Sequence, residues 1–74
     1  MKRFIFNEDL FSTKLFEKQQ AYKLSVRTAA KEIGISASTL SRLNRAEFLP
    51  DVYTYFRCCQ WLKIEMNYFF TFER

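Results

Sequence analysis

Residues Leu24 to Leu43 read LSVRTAAKEIGISASTLSRL, and this stretch decides the fold. Ser25 follows Leu24 and suits a helix N-cap, because its hydroxyl can take a free first-turn amide. Val26, Ala29, Ala30 and Ile33 then fall at i, i+3, i+4 and i+7, the apolar stripe of a short helix. Gly34 ends it, since a left-handed backbone position suits glycine. After Ile35, Ser36 is a second cap. Leu40 and Leu43 are the apolar positions of the next segment, with Ala37 a weaker member, and Ser38, Thr39, Ser41, Arg42 and Arg45 surround them. So little apolar content means that this helix is not mainly a core filler. Its outward face is small, polar and basic, a face that can enter a groove. Ala30 lets the second helix cross closely, and Ile35, Leu40 and Leu43 lock the pair from beneath. Two short helices joined this way make a helix-turn-helix, with the second helix presented outward.

The flanking residues supply a scaffold. Residues 9 to 22 lack Gly and Pro, and Phe11, Leu15, Gln19 and Tyr22 recur on one helical face, with Asn7 or Asp9 as the cap. Pro50 breaks the chain, and Asp51 caps a helix from about Val52 to Leu62, whose shared face is Val52, Tyr55, Phe56, Cys59 and Leu62. Lys63-Ile64-Glu65 is a link, and Met66 to Phe70 is a short fifth helix. Lys2 to Asn7 and Phe69 to Glu73 carry the aromatic and β-branched content of strands, pairing with one another or across a dimer. The expected fold is therefore all-α: a compact bundle of about five short helices with the helix-turn-helix at its centre, the terminal segments being open to an extended form. A single domain over 1–74, with its core over about 9–70, fits this length.

Composition excludes much else. The chain has one Gly and no His among 74 residues, so Gly-rich phosphate loops are absent, as are the commonest general base and metal ligand. Glu8, Asp9 and Glu17 share one helix with no His partner, so no enzyme is expected. Cys58 and Cys59 are adjacent and point about 100° apart on a helix, too few ligands for a zinc site. They read as free core residues; no metal and no cofactor is expected. A net charge of +4 favours an anionic partner. No apolar run approaches the roughly 20 residues of a membrane helix, and the N-terminus lacks the apolar region of a signal peptide, so a cytoplasmic protein without a membrane partner is expected. Aromatic residues make up 19% of the chain, and most lie outside Leu24–Leu43, which assigns them to the scaffold or to an oligomer seam.

Over about residues 15 to 70 the sequence resembles the lambda-repressor-like helix-turn-helix family, also called the XRE or Cro/repressor family. Ser25 to Gly34 looks like its first motif helix and Ile35 to Leu43 like its recognition helix. Trp61-Leu62-Lys63-Ile64 and Met66-Asn67-Tyr68-Phe69-Phe70 resemble its closing helices. The resemblance implies a transcriptional regulator, a repressor or an antitoxin-like protein, that binds double-stranded DNA, often as a homodimer. Ser36 to Asn44 would then read the major groove. Base contacts would fall on Ala37, Ser38, Ser41 and Arg42. Arg42 could donate twice to a guanine, worth roughly 1–3 kcal/mol of discrimination. Phosphate contacts would fall on Ser25, Val26, Arg27, Ser36, Thr39 and Arg45. In a two-fold dimer the recognition helices would sit about 34–36 Å apart, one DNA turn.

Three departures carry their own expectations. Val26 stands where the family usually has a phosphate-donating Gln. Asn44-Arg45-Ala46-Glu47-Phe48-Leu49-Pro50 replaces the usual Glu-Asn-Gly and its basic loop: Glu47 would repel phosphate, and Ala46 enters the left-handed region less cheaply than Gly. Gln19 and Asn44 stand where the family pairs an Arg with a Glu, and as neutral amides they are expected within hydrogen-bond distance. Phe48 and Leu49 beside Val52, Tyr53 and Phe56 call for a buried contact, at a dimer seam or within the monomer. Glu47, Phe48 and Val26 also support an alternative: a protein-interaction module that keeps the helix-turn-helix fold without strong DNA binding. An acidic patch over the recognition helix would favour that alternative, and a continuous basic face would oppose it.

Overall fold

The computed structural model describes residues 3–73. Strand β1 (Arg3–Phe6) is followed by helices α1 (Glu8–Ala21), α2 (Val26–Ile33), α3 (Ala37–Asn44) and α4 (Val52–Leu62). A 3₁₀ turn (Met66–Phe69) and strand β2 (Phe70–Glu73) close the chain. The all-α expectation is corrected at the ends. The fifth helix is only a 3₁₀ turn, and the terminal segments form an antiparallel pair with Phe4 opposite Phe72 and Phe6 opposite Phe70. This pairing is within the chain. Aromatic residues at alternate positions favour the pleated form, and the Asn7 amide donates to the Phe69 carbonyl at 2.7 Å to seal its end. Lys2, which the expected N-terminal segment included, lies outside the described residues.

Every α-helix starts on a side-chain cap. Asn7, Ser25, Ser36 and Asp51 accept from the amides of Leu10, Thr28, Thr39 and Thr54. Every α-helix also ends in a left-handed residue: Lys23 (φ 54°), Gly34 (φ 93°), Ala46 (φ 55°) and Lys63 (φ 60°). In each case the following amide reaches back across the last turn: Leu24 to Gln19, Ile35 to Ala30, Glu47 to Arg42 and Ile64 to Cys59. Leu24, Ile35 and Ile64 also turn inward onto the core, the apolar contact that accompanies this cap. Three of these ends therefore hold the conformation without glycine. Gly34 has the largest positive φ of the four, strained for any side chain, and a Cβ there would also require the Arg57 guanidinium across the turn to shift.

The core joins all four helices to the closing segment. Phe11, Leu15, Ala29, Ala30, Ile33, Leu40, Leu43, Tyr55, Cys58, Cys59 and Phe69 are buried together. The rings of Phe6, Phe11, Tyr55, Phe69 and Phe70 form a contiguous cluster with centroids 5.2–6.4 Å apart, several edge to face. These rings are thus scaffold, while Phe4 and Tyr68 stay exposed. Two facing assignments change. Tyr22 caps the end of α1 and is exposed, because the chain turns left-handed at Lys23. In α4 the inward residues are Tyr55, Cys58 and Cys59, with Leu62 half-buried, while Val52 and Phe56 face outward. Apolar residues cover most of the circumference of α4, so spacing alone left the inward arc open. The thiols are free and buried, and burial pushes Cys58 up to about 12.

Candidate nucleic-acid interface

The site is built on the α2–α3 pair. Ala29 and Ala30 are both buried and small, so α3 packs closely across α2, with Leu40 and Leu43 wholly buried beneath it. On the other side α3 presents Ser36, Ser38, Arg42 and Arg45 to solvent, with Thr39 and Ser41 half-exposed. An open groove of about 790 Å³ runs between the start of α2 and the start of α3, lined by Ser25, Arg27, Thr28, Lys31, Ile35 and Ala37 among others. Both helix N-termini meet here, each with the partial positive charge of its unpaired first-turn amides. Arg27 and Lys31 stand exposed along the same side of α2. Positive helix ends and cations on one groove make an arrangement suited to anions.

The structure brings the sequence-identified residues together, in different states. Ser25 and Ser36 are both occupied as caps. Ser25 Oγ accepts from the Thr28 amide at 3.1 Å and donates to Thr28 Oγ1 at 3.0 Å; Ser36 does the same with Thr39 at 3.1 and 2.7 Å. Their hydroxyl protons are therefore directed inward, and Thr39 is part of the same cap. Val26 and Ala37 are half-buried against the core, so neither offers a side chain fully to a ligand. Arg27 is exposed, and the exposed Ser38 hydroxyl lies 3.4 Å from Ser36 Oγ in a hydrogen bond.

Arg42 and Arg45 differ most. The Arg42 guanidinium lies 4.7 Å from the centroid of the Phe48 ring, which supports it from below. Arg45 turns back to form a fork with Glu47, Nε to Oε2 at 2.7 Å and Nη2 to Oε1 at 3.3 Å, and its Nη1 donates to Ser41 Oγ at 3.0 Å. The hydrogen bond and charge of Glu47 raise Arg45 above its usual range, and those of Arg45 hold Glu47 below the usual carboxylate range. Glu47 thus holds Arg45 and Arg45 holds Ser41, and the basic face is interrupted there.

Phe48 and Glu47 are the residues whose partners, Arg42 and Arg45, the sequence reading did not name. Phe48 packs within the monomer, half-buried, while Leu49 beside it stays exposed, so the two residues divide the contact expected of both. Nothing in the spacing places Phe48 under Arg42; the left-handed Ala46 does so by turning the loop back over α3. Among the described residues there is no cluster able to hold a metal ion, and no helix is long and apolar enough to cross a membrane.

No protein-family model matches the chain, and no curated protein sequence does either.

Proposed function

We propose that this protein is a sequence-specific, double-stranded-DNA-binding transcriptional regulator of the lambda-repressor-like kind, a repressor or an antitoxin-like protein, acting in the cytoplasm. The reading rests above all on α3. Its buried apolar residues are Leu40 and Leu43, while its opposite face stays small, polar and basic. In this role α3 enters the major groove. Arg42 and Ser38 meet base edges, with Ser41 and Ala37 beside them. The α2 and α3 N-termini meet phosphates through backbone amides, helped by Arg27. Arg45 reaches phosphate only by leaving Glu47.

The test is selection from random duplex DNA, followed by titration across salt. A single enriched sequence is expected, with log affinity falling steeply against log salt as counterions are released. Failure to enrich any duplex, or binding indifferent to salt, overturns the proposal. The Arg45–Glu47 fork favours a second reading, a module that keeps this fold and binds a protein, because a carboxylate on the presented face repels phosphate. Salt-indifferent capture of a protein together with no duplex enrichment would select that reading.

A further inference from the structure

We propose that the hollow between α2 and α4 is a binding site for a free α-amino acid with an aromatic side chain. This is independent of the DNA-binding reading, since it concerns a different surface. The hollow measures about 460 Å³, a size common among small-molecule sites, and is lined by Glu32, Tyr53, Phe56, Arg57, Gln60 and Trp61 among others. It holds one anion, Glu32, and one cation, Arg57, and these form no ion pair with each other. Each is fixed instead by an aromatic partner. Trp61 Nε1 donates to Glu32 Oε1 at 2.9 Å. Arg57 Nη2 donates to the Tyr53 hydroxyl, and the guanidinium lies 4.5 Å from the centroid of that ring. Gly34, with no Cβ, leaves the room that Arg57 Nη1 occupies. Among the described residues no acceptor meets Arg57 Nη1 or its buried Nε, and no donor meets Glu32 Oε2. Two opposite charges are thus held in place with bonding capacity unspent, which lowers the ordering cost of a ligand that takes both.

The unspent groups define the ligand. Arg57 calls for a carboxylate, the group whose geometry its planar guanidinium matches. Glu32 calls for an ammonium. A ligand with one charge meets one of the two and strips water from the other without return. An α-amino acid carries both charges on one carbon and joins two residues that do not join each other. Its side chain then falls among the rings. Tyr53 and Phe56 are 64% and 45% exposed at the hollow, and Trp61 is half-buried beside Glu32. Rings in these places favour an aromatic side chain through edge-to-face or offset stacking. The exposed Gln60 adds a neutral amide and no competing charge. Other occupants fit less well. The backbone of a peptide has spent its amino and carboxyl groups in amide bonds, and a nucleic acid brings anions alone.

Trp61 is the only tryptophan of the chain and lines the hollow, so its fluorescence reads occupancy directly. The full chain is titrated with L-phenylalanine, with excitation where phenylalanine does not absorb. A saturable change is expected, with a dissociation constant on the order of 1 mM for a ligand of this size in an open site. Phenethylamine lacks the carboxylate and phenylpropionate lacks the ammonium, and each should bind about tenfold more weakly or worse, as the loss of a charged hydrogen bond dictates. Arg57→Gln and Glu32→Gln should each weaken L-phenylalanine by about the same factor. In Glu32→Gln the preference for L-phenylalanine over phenylpropionate should also vanish, which a merely loosened fold would not produce. Glu32 is exposed, so this variant should keep the wild-type circular dichroism spectrum. An unsaturable response, equal binding of the three ligands, or binding indifferent to both substitutions overturns the proposal.

Discussion

Gln19 and Asn44 lie amide to amide. Gln19 Nε2 donates to Asn44 Oδ1 at 2.8 Å, and Asn44 Nδ2 donates back to Gln19 Oε1 at 3.1 Å. The second Nε2 proton goes to the Leu15 carbonyl at 3.0 Å, so the buried Gln19 amide is fully satisfied. The pair fastens α1 to the last turn of α3, and Ser12 adds a buried hydroxyl bond to the Leu43 carbonyl at 2.7 Å. Together they set the height at which α3 stands out of the scaffold. Neutral amides do this without removing charges from water.

Gln19→Ala should therefore destabilise the fold by about 2 kcal/mol, since it leaves Asn44 half-satisfied beside a new cavity. For a domain of this size that lowers Tm by roughly 8–16 °C. Urea unfolding of Gln19→Ala, Asn44→Ala and the double variant should give a coupling of about 1 kcal/mol. Strict additivity would show that the two amides do not act as a pair.

Gly34 and Ala46 should respond in opposite directions. Gly34→Ala imposes left-handed strain on a side chain and drives its Cβ into Arg57, so a loss of about 1–3 kcal/mol is expected. Ala46→Gly relieves the left-handed strain at φ 55°. After the extra freedom of glycine in the unfolded chain is subtracted, a gain of about 0.5 kcal/mol should remain. Thermal unfolding of the two variants side by side checks both signs; a destabilising Ala46→Gly would mean that the Ala46 methyl contributes packing.

The helix-turn-helix was legible because its signals are local. Ser25, Ser36 and Gly34 mark ends, and Ala29, Ala30 and Leu40 mark a face, with no help from the rest of the chain. The Gln19–Asn44 contact was legible only through the family resemblance, which pairs these two positions; nothing in the spacing of α1 and α3 points to it. The terminal pair was only half legible: strand content shows in Phe4 to Phe6 and Phe70 to Phe72, but their partner depends on where the whole scaffold places the two ends. The inward arc of α4 was misjudged at Val52 and Phe56, because apolar residues cover most of the circumference of that helix and spacing does not say which of them face the core. The left-handed ends at Lys23 and Lys63 were not legible, because no glycine marks them.

Acid should loosen the fold at a defined place. Asp51 accepts from the backbone amide and the hydroxyl of Thr54, which holds its carboxyl below the usual range, and Arg45 does the same for Glu47. A carboxyl whose folded value lies below its unfolded value adds stability above the unfolded value and loses it as pH falls through the folded one. With no His in the chain, Tm should be nearly flat from pH 7 to about 5 and fall below about pH 4. Asp51→Asn keeps a cap without the charge, so its acid decline should be shallower than that of the wild type; an identical decline would place the sensitive carboxyl elsewhere.

The two cysteines should be silent until the protein opens. Cys58 is completely buried and pushed up to about 12, and the buried Cys59 is raised as well, so neither supplies thiolate to a reagent near neutral pH. A disulfide-exchange reagent at pH 8 should modify neither thiol in native protein and both in urea. Labelling should follow the unfolding transition rather than the thiol's own chemistry. Rapid labelling of native protein would show that α4 detaches locally.

Phe48 and Arg42 should separate positioning from contact. On the DNA-binding reading Arg42 meets a base edge, and Arg42→Ala should forfeit roughly 1–3 kcal/mol of preference at one position of the selected duplex. Phe48→Leu keeps apolar volume on the core but removes the ring face under the guanidinium, a support worth about 0.5–1 kcal/mol at an exposed site. It should therefore lower discrimination at that same position by a few fold, leave the slope of affinity against salt unchanged, and have no effect in the Arg42→Ala background. Arg27→Ala should do the reverse, weakening all duplexes alike and reducing the salt slope by about one. A Phe48→Leu variant that weakens every duplex equally would assign Phe48 to the fold alone.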